Sequence, residues 1–200
     1  MEFIIHRVNE INYLNTIPLN FGCEIDVRSD GSKLILNHDP YKGGDLLLDF
    51  LDEYKHRTLV LNIKESGIED HVLAEVKKRK INSYFLLDVE APYLYYSMIN
   101  KEKNIAVRFS EYEPIENVEY FFQHLDWVWI DCVNENPINK SNVELLKNFK
   151  CCYVCPSRWG RPDDIFIYVN KFKKLNITPD YVMTEINQIN NWQKAFDSIL

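Results

Sequence analysis

Apolar, β-rich runs alternate with amphipathic runs along the whole chain, and this alternation is the feature that most restricts the fold. Eight apolar runs are typical of strands, and a helical stretch follows each of them. The predicted strands are Glu2–Val8, Cys23–Arg28, Thr58–Lys64, Tyr84–Val89, Asn104–Phe109, Trp127–Val133, Cys151–Cys155 and Tyr181–Thr184. Strands that alternate with helices lie parallel and are joined by right-handed crossovers. Eight such units predict a (β/α)8 barrel, with an open doubly wound sheet as the alternative.

The stretches between these strands have the composition of helices and turns. The predicted helices are Asn9–Asn20, Asp45–Tyr54, Ile68–Lys80, Pro92–Lys103, Pro114–Leu125, Lys140–Phe149, Pro162–Leu175 and Ile186–Phe196. Asp45 is expected to cap its helix, and Pro114 suits a first helical position. A turn at Asp30-Gly31 leads into a short extended piece, Lys33–Asn37. Since such barrels usually have ~250 residues, 200 residues predict a compact version with short loops and a single domain over residues 1–200.

Charge and hydropathy restrict the partners of the chain. The formal net charge is −7, and no block of lysine and arginine interrupts it, which argues against nucleic acid. No apolar run approaches the ~20 residues of a membrane-spanning helix, so membrane insertion is not expected. The start of the sequence lacks the features of a signal peptide, and the five cysteines are an odd number. These observations predict a reduced, cytoplasmic protein whose partner is a small molecule.

Polar residues gather where the predicted strands end. Active sites of (β/α)8 barrels are built at the carboxyl ends of the strands, so these residues are the candidates for chemistry. They are His6, Arg7, Glu24, Asp26, Asn62, Lys64, Asp88, Glu90, Arg108, Ser110, Asp131 and Glu185. Arg108, Asp131 and Glu185 qualify by position alone, and an internal salt bridge explains them as well as ligand contact does. Trp159, which follows the seventh strand, is expected either to stack on a substrate group or to cap the barrel.

Glu24 and Asp26 form the strongest local signal. Alternate residues of a strand share a face, so the two carboxylates point the same way and repel each other. A divalent cation with oxygen ligands would compensate, and so would Arg7 and Arg28. Both interpretations remain open at this point. Lys64 shares a face with Asn62 and requires a partner if it is buried, for which a carboxylate or a substrate phosphate would serve.

Five short pieces in the first third of the chain follow one another in a specific order. They are His6-Arg7, Asn15-Thr16, Glu24-Ile25-Asp26-Val27, Asp30-Gly31 and His38-Asp39. In this order they resemble the glycerophosphodiester phosphodiesterase family, within the superfamily that also holds phosphatidylinositol-specific phospholipases C. The resemblance implies a (β/α)8 barrel that cleaves phosphodiesters with a divalent cation.

The resemblance also implies a role for each matching residue. His6 and His38 would be the general acid and base, and Arg7 and Lys64 would hold phosphate oxygens. Glu24 and Asp26, together with Asn62, would be the metal ligands. Oxygen ligands favour Mg²⁺, Ca²⁺ or Mn²⁺ over Zn²⁺. Two histidines that titrate near neutral pH suit proton transfer on both sides of a phosphodiester. Outside the resemblance, Arg108, Asp131, Trp159 and Glu185 are further candidate substrate contacts by their position after strands alone.

Two departures from the family bear on activity. Val8 replaces the glycine that usually follows the His-Arg pair, and Asn62 stands where the family has a carboxylate two residues before the lysine. An amide oxygen carries no charge, so the cation would be held more weakly or with more water. The expected function is metal-dependent hydrolysis of small, soluble glycerol- or sugar-phosphodiesters. The alternatives are an inactive barrel that binds a phosphorylated metabolite, and processing of an activated headgroup in surface-polysaccharide synthesis.

Overall fold

Nine strands lie within residues 1–198, the part of the chain that the computed structural model describes. They are β1 Glu2–Ile5, β2 Gly22–Asp30, β3 Lys33–Leu36, β4 Leu59–Ile63, β5 Tyr84–Leu87, β6 Ala106–Phe109, β7 Trp127–Ile130, β8 Lys150–Val154 and β9 Tyr181–Thr184. Eight of them follow the order β5-β4-β2-β1-β9-β8-β7-β6, and β3 pairs antiparallel with β2. Leu86 also bridges Ile105, directly before β6. Parallel strands in this order, with helices between them, confirm the predicted (β/α)8 barrel.

The α-helices of the described residues lie between these strands. They are α1 Ile11–Leu14, α2 Leu47–Glu53, α3 Glu69–Lys78, α4 Ala91–Asn100, α5 Ile115–Tyr120, α6 Val143–Leu146, α7 Asp164–Lys174 and α8 Ile189–Asp197. Most helices are shorter than the sequence predicts, and α1 is the clearest case. It cannot extend to Pro18, because the residue before a proline is disfavoured in helical conformation. Within residues 1–198, no helix has the length and apolar content required to cross a membrane.

Two compact units make up the chain. One is Ile4–Ile105, and the other is Met1–Phe3 together with the chain from Ala106 onward. Strand β1 contributes to both, because Ile4 pairs with Gly22 while Glu2 N donates to Asp180 O at 2.8 Å, just before β9. A single domain over residues 1–200 stays a prediction.

Strand β2 is buried along most of its length, as expected for a parallel strand that is covered on both faces. Ile25 and Val27 share one face and are fully buried apolar residues. Glu24 and Asp26 share the other face and are 2% and 1% exposed. The predicted common face of the two carboxylates is therefore present, and it lies inside the protein.

The hairpin β2–β3 carries the chain to His38. Asp30 pairs with Lys33, and Gly31 makes the turn with a φ of +61°, which glycine adopts without strain. The segment after β3 folds back closely, since a Cβ on Gly44 would lie 2.0 Å from Leu36 O. Asp45 does not cap α2 as predicted; its Oδ2 accepts a hydrogen bond from Ile11 N at 2.7 Å, and so caps α1 instead.

Candidate functional site

Glu24 is held by donors from both neighbouring strands. Its Oε2 accepts a hydrogen bond from the Arg7 backbone N–H at 2.8 Å, just after β1. Its Oε1 accepts from Asn62 Nδ2 at 3.0 Å, on β4. Arg7 adopts a φ of +53°, which is uncommon for a residue with a side chain and aims its N–H at the carboxylate. Glu24 is therefore fixed in the interior by one main-chain and one side-chain donor.

Asp26 has a different set of partners. Asn9 Nδ2 donates to Asp26 Oδ2 at 2.7 Å, while Asn9 Oδ1 accepts from the Asp26 backbone N–H at 2.8 Å. Lys64 Nζ lies 3.1 Å from Asp26 Oδ1, and Arg7 Nε lies 4.0 Å from Oδ2. The aspartate therefore carries two cationic neighbours and one amide that holds both its main chain and its side chain.

Strand register brings Asn62 and Lys64 to these carboxylates. Asp26 pairs with Asn62 across the parallel ladder, and Lys64 N donates to Val27 O at 3.0 Å one step further. The Lys64 side chain is only 15% exposed, and its Nζ also lies 3.6 Å from Asp88 Oδ2. The partner predicted for a buried lysine is therefore present as a pair of aspartates.

Burial changes the titration of this cluster. Burial itself, followed by the charge of Asp26, raises the pKa of Glu24 to about 7, although hydrogen bonds from Arg7 and Asn62 oppose the rise. A carboxylate with such a pKa is partly protonated at neutral pH unless more positive charge is nearby. The cluster is thus short of positive charge in spite of Lys64.

Three buried side-chain atoms of the cluster have no hydrogen-bond partner: Asn62 Oδ1, Arg7 Nε, and Asp26 Oδ1, which instead faces Lys64 Nζ at 3.1 Å. An oxygen without a donor beside two carboxylates fits a cation that prefers oxygen ligands. The carboxylate count is low, because no group of three His, Cys, Asp or Glu residues that could hold a metal occurs within residues 1–198. Glu24, Asp26 and Asn62 could therefore hold a hard cation through two charged ligands and one neutral ligand.

The two histidines follow β1 and β3, two strands that each pair with β2. His6 directly follows β1 and is half-buried. His38 follows β3, with its Nδ1 3.0 Å from Asp39 Oδ1 and its side chain 41% exposed. Hydrogen bonds from His38 and then Lys42 lower the pKa of Asp39 to about 2, so a permanently charged partner faces the imidazole. Convergence of His6 and His38 on one reacting group stays a prediction.

The remaining predicted contacts lie in the second unit, and three of them bind one another. Arg108 donates to Glu113 Oε1 at 2.7 Å and to Asp131 Oδ2 at 2.8 Å. Trp159 Nε1 donates to Asp131 Oδ1 at 2.8 Å. Glu185 accepts a hydrogen bond from Ser157 Oγ. Arg108 already faces two carboxylates, so the internal salt bridge that the sequence left open is present.

Sequence reasoning missed two partners of the site. Asn9 was assigned only to a predicted helix, and no spacing in the sequence links it to Asp26, 17 residues away. Arg28 was considered as a counterion for the carboxylates, but its guanidinium donates to the main-chain carbonyls of His38 and Lys64. A polar cavity of about 440 Å³ opens beside it, and its lining includes Asp30, Tyr41 and Glu65.

Comparisons with known proteins agree on the fold. No protein-family model and no curated protein matches the chain. A solved glycerophosphodiester phosphodiesterase from Agrobacterium tumefaciens superposes with a TM-score of 0.64 and 10% identity, covering 94% of this chain and 99% of that one. A glycerophosphoryl diester phosphodiesterase from Parabacteroides distasonis gives a TM-score of 0.66 and 12% identity, covering 100% of this chain and 87% of that one.

Identities this low speak for the fold alone. The sequence resemblance, however, came from five short pieces in the first third of the chain, whereas the superposition extends over nearly all of it. The two observations are independent and point to the same group of proteins. The resemblance of this chain to the glycerophosphodiester phosphodiesterases is therefore confirmed, at the level of the fold.

Proposed function

We propose that the chain is a metal-dependent phosphoric diester hydrolase that acts on small, soluble glycerol- or sugar-phosphodiesters. The observation that carries this proposal is the buried cluster of Glu24, Asp26 and Asn62 with Lys64 and Arg7 beside it. Oxygen ligands and basic groups at one place suit a phosphodiester, whose nonbridging oxygens carry negative charge. The fold shared with glycerophosphodiester phosphodiesterases supports the same reaction class.

Glu24, Asp26 and the amide oxygen of Asn62 are the residues that would hold the cation. When bound, a divalent cation supplies positive charge for the developing negative charge on the phosphoryl oxygens. The raised pKa of Glu24 and the unpartnered Asn62 Oδ1 both support a cation at this place. Mg²⁺, Ca²⁺ and Mn²⁺ all accept such ligands.

Arg7 and Lys64 are proposed to bind the phosphate. The Lys64 ammonium is held 3.1 Å from Asp26 Oδ1, which fixes its direction. Arg7 Nε lies 4.0 Å from Asp26 Oδ2 and makes no hydrogen bond of its own, and we propose that it donates to a phosphate oxygen. Two donors of this kind orient a phosphodiester before reaction, and a lysine acts as a point charge where an arginine offers a fork.

His6 and His38 are proposed to transfer protons on either side of the phosphorus. One takes the proton from the attacking oxygen, that of water or of a neighbouring hydroxyl of the substrate, and the other protonates the leaving alkoxide. The ionised Asp39, 3.0 Å from His38 Nδ1, supports the second role because it orients the imidazole.

A second candidate function is binding of a phosphorylated metabolite without turnover. Asn62 adds no charge to the metal ligands, and Lys64 already occupies one side of Asp26. In this second function Lys64 and Arg7, both beside Asp26, bind the phosphate without any divalent cation. The two functions therefore differ in their response to a chelator.

The test is hydrolysis of glycerophosphocholine and bis(p-nitrophenyl) phosphate by the EDTA-treated protein, before and after addition of Mg²⁺, Ca²⁺ or Mn²⁺. We expect turnover only with a cation, and a loss of about 100-fold or more in His38→Ala. His71→Ala, on the exposed side of α3, serves as the control. Full activity of His38→Ala contradicts the acid–base assignment. Phosphate binding without turnover under any cation supports the second candidate.

A further inference from the structure

The guanidinium of Arg28 joins two segments that carry proposed functional residues. Its Nε and Nη2 donate to the main-chain carbonyl of His38 at 3.2 and 2.9 Å. Its Nη1 donates to the main-chain carbonyl of Lys64 at 3.2 Å. One half-buried side chain therefore bonds both the segment after β3 and the segment after β4.

The strand register explains why these segments need such a link. The pairing of β2 with β3 ends at Val27 and Leu36, and its pairing with β4 ends at Val27 and Ile63. His38 and Lys64 therefore lie beyond the last paired residues, on opposite sides of β2. Arg28, which pairs with Ile35 of β3 and directly follows the last residue of β2 that pairs with β4, reaches both segments.

The chemistry of arginine suits this bridge and that of lysine does not. A guanidinium presents its N–H groups in a rigid planar fork, so three hydrogen bonds in one plane fix the relative position of two carbonyls. An ammonium on a flexible stem cannot reproduce the two contacts to His38 together with the third to Lys64. The shape of the Arg28 guanidinium thus fixes the relative position of the two carbonyls, which a positive charge alone would not do.

We propose that Arg28 is a positioning residue that sets the place of His38 relative to the Lys64 ammonium. The proposal rests on the proposed function, in which His38 transfers a proton at a phosphate that Lys64 holds. Arg28 touches no substrate in this role. Its removal releases the segment after β3 and displaces the imidazole, whereas the buried carboxylates keep their own donors from Arg7, Asn9 and Asn62.

The leaving group separates positioning from a general loss of structure. An alkoxide leaving group needs a well-placed acid, while p-nitrophenolate leaves with little help. For Arg28→Ala we expect kcat/KM to fall about 100-fold with glycerophosphocholine and about fivefold or less with bis(p-nitrophenyl) phosphate. Added guanidinium ion should restore part of the loss in Arg28→Ala, and Arg28→Lys should restore little.

Arg79→Ala is the matched control, because Arg79 bonds Asp52 and Glu75 far from these segments in the sequence. We expect Arg79→Ala to change kcat/KM by the same factor with both substrates. Equal losses for both substrates in Arg28→Ala, or no rescue by guanidinium, overturn the proposal.

Amide hydrogen exchange gives a readout that needs no turnover. The backbone around residues 38–43 and 64–66 should exchange faster in Arg28→Ala than in the wild type, with no such change in Arg79→Ala. Unchanged exchange there overturns the proposal even if the protein proves to be an active phosphodiesterase. Absence of turnover in the wild type instead removes the proposed function, and the exchange result then decides whether Arg28 holds the two segments.

Discussion

Lys64 Nζ lies 3.1 Å from Asp26 Oδ1, and both side chains are largely shielded from water. Each charge is stable in the interior only when the other is present, because a buried ion that loses its partner keeps its full desolvation cost. The pair is also the point where the two candidate functions diverge. In one, the lysine assists a divalent cation, and in the other it takes the place of that cation.

Replacement of this lysine tests the strength of the pair. For Lys64→Met we expect the free energy of unfolding at pH 7 to fall by about 3 kcal/mol, because Asp26 is left as a buried charge. Urea denaturation followed by circular dichroism measures it. Lys147→Met, which removes an exposed ion pair with Glu144, should cost about 0.5 kcal/mol or less. Equal effects of the two substitutions would show that the Lys64 pair is effectively solvated.

The raised pKa of Glu24 predicts a dependence of stability on pH. The folded protein holds this proton up to a pH of about 7, whereas the unfolded chain releases it near the ordinary glutamate pKa of 4.5. Between these values the folded state binds more protons, so the free energy of unfolding declines as pH rises, by roughly 3 kcal/mol in total from this group. Comparison of urea denaturation at pH 5 and pH 8, in EDTA, measures the decline.

Glu24→Gln removes the titrating group and supplies the reference for that measurement. The difference between wild type and Glu24→Gln should grow across this interval and be constant above it. A wild-type and a variant curve that run parallel from pH 5 to pH 8 contradict the assigned pKa direction. A saturating divalent cation, if it binds Glu24, should flatten the wild-type decline.

Restoration of the carboxylate at the third position tests the cation site itself. Asn62→Asp places a third negative charge beside Glu24 and Asp26, so we expect the melting temperature to fall in EDTA. Added Mg²⁺ or Ca²⁺ should raise it again, and by more than in the wild type, since bound ligand stabilises the folded form. Asn136→Asp, at another buried asparagine, should show no such recovery. Equal cation responses of the two variants would refute a cation at Asn62.

The close approach of Gly44 to the main chain of Leu36 predicts the effect of a substitution at Gly44. A Cβ there would lie 2.0 Å from Leu36 O, so Gly44→Ala must displace the main chain and should cost about 2 kcal/mol of stability. Gly43→Ala, whose Cβ meets nothing within 4 Å, is the adjacent control. Differential scanning calorimetry of both variants measures the difference. Comparable melting temperatures for the two variants would mean that the main chain after β3 can be displaced without loss of stability.

The strands could be predicted from the sequence because burial on both faces leaves a continuous apolar run, as at Trp127–Ile130. The helix ends could not be predicted from the sequence, because local hydrogen bonds from side chains compete with the main-chain hydrogen bonds of a helix. Asn139 Oδ1 accepts from Ser141 N at 2.9 Å, and Asn142 Oδ1 accepts from Asn139 N at 2.8 Å. These bonds delay the start of α6 to Val143, three residues after the predicted start at Lys140.

The same distinction applies to the candidate site. The common face of Glu24 and Asp26 follows from the period of a strand, and the approach of Asn62 follows from parallel pairing. The contacts of Asn9 and Arg28 follow from neither. They join side chains to atoms 10 to 36 residues away, and the identity of an Asn or Arg in a single sequence does not indicate which distant atom it will bond.

The reciprocal bonds between Asn9 and Asp26 have a consequence for ligand entry. Because the amide holds both the main chain and the carboxylate of Asp26, that side chain has already lost its rotational freedom in the empty protein. The conformation of this carboxylate is therefore already fixed before an ion or phosphate binds, and no binding free energy is lost in ordering it. Association should consequently be fast and accompanied by little movement of β2.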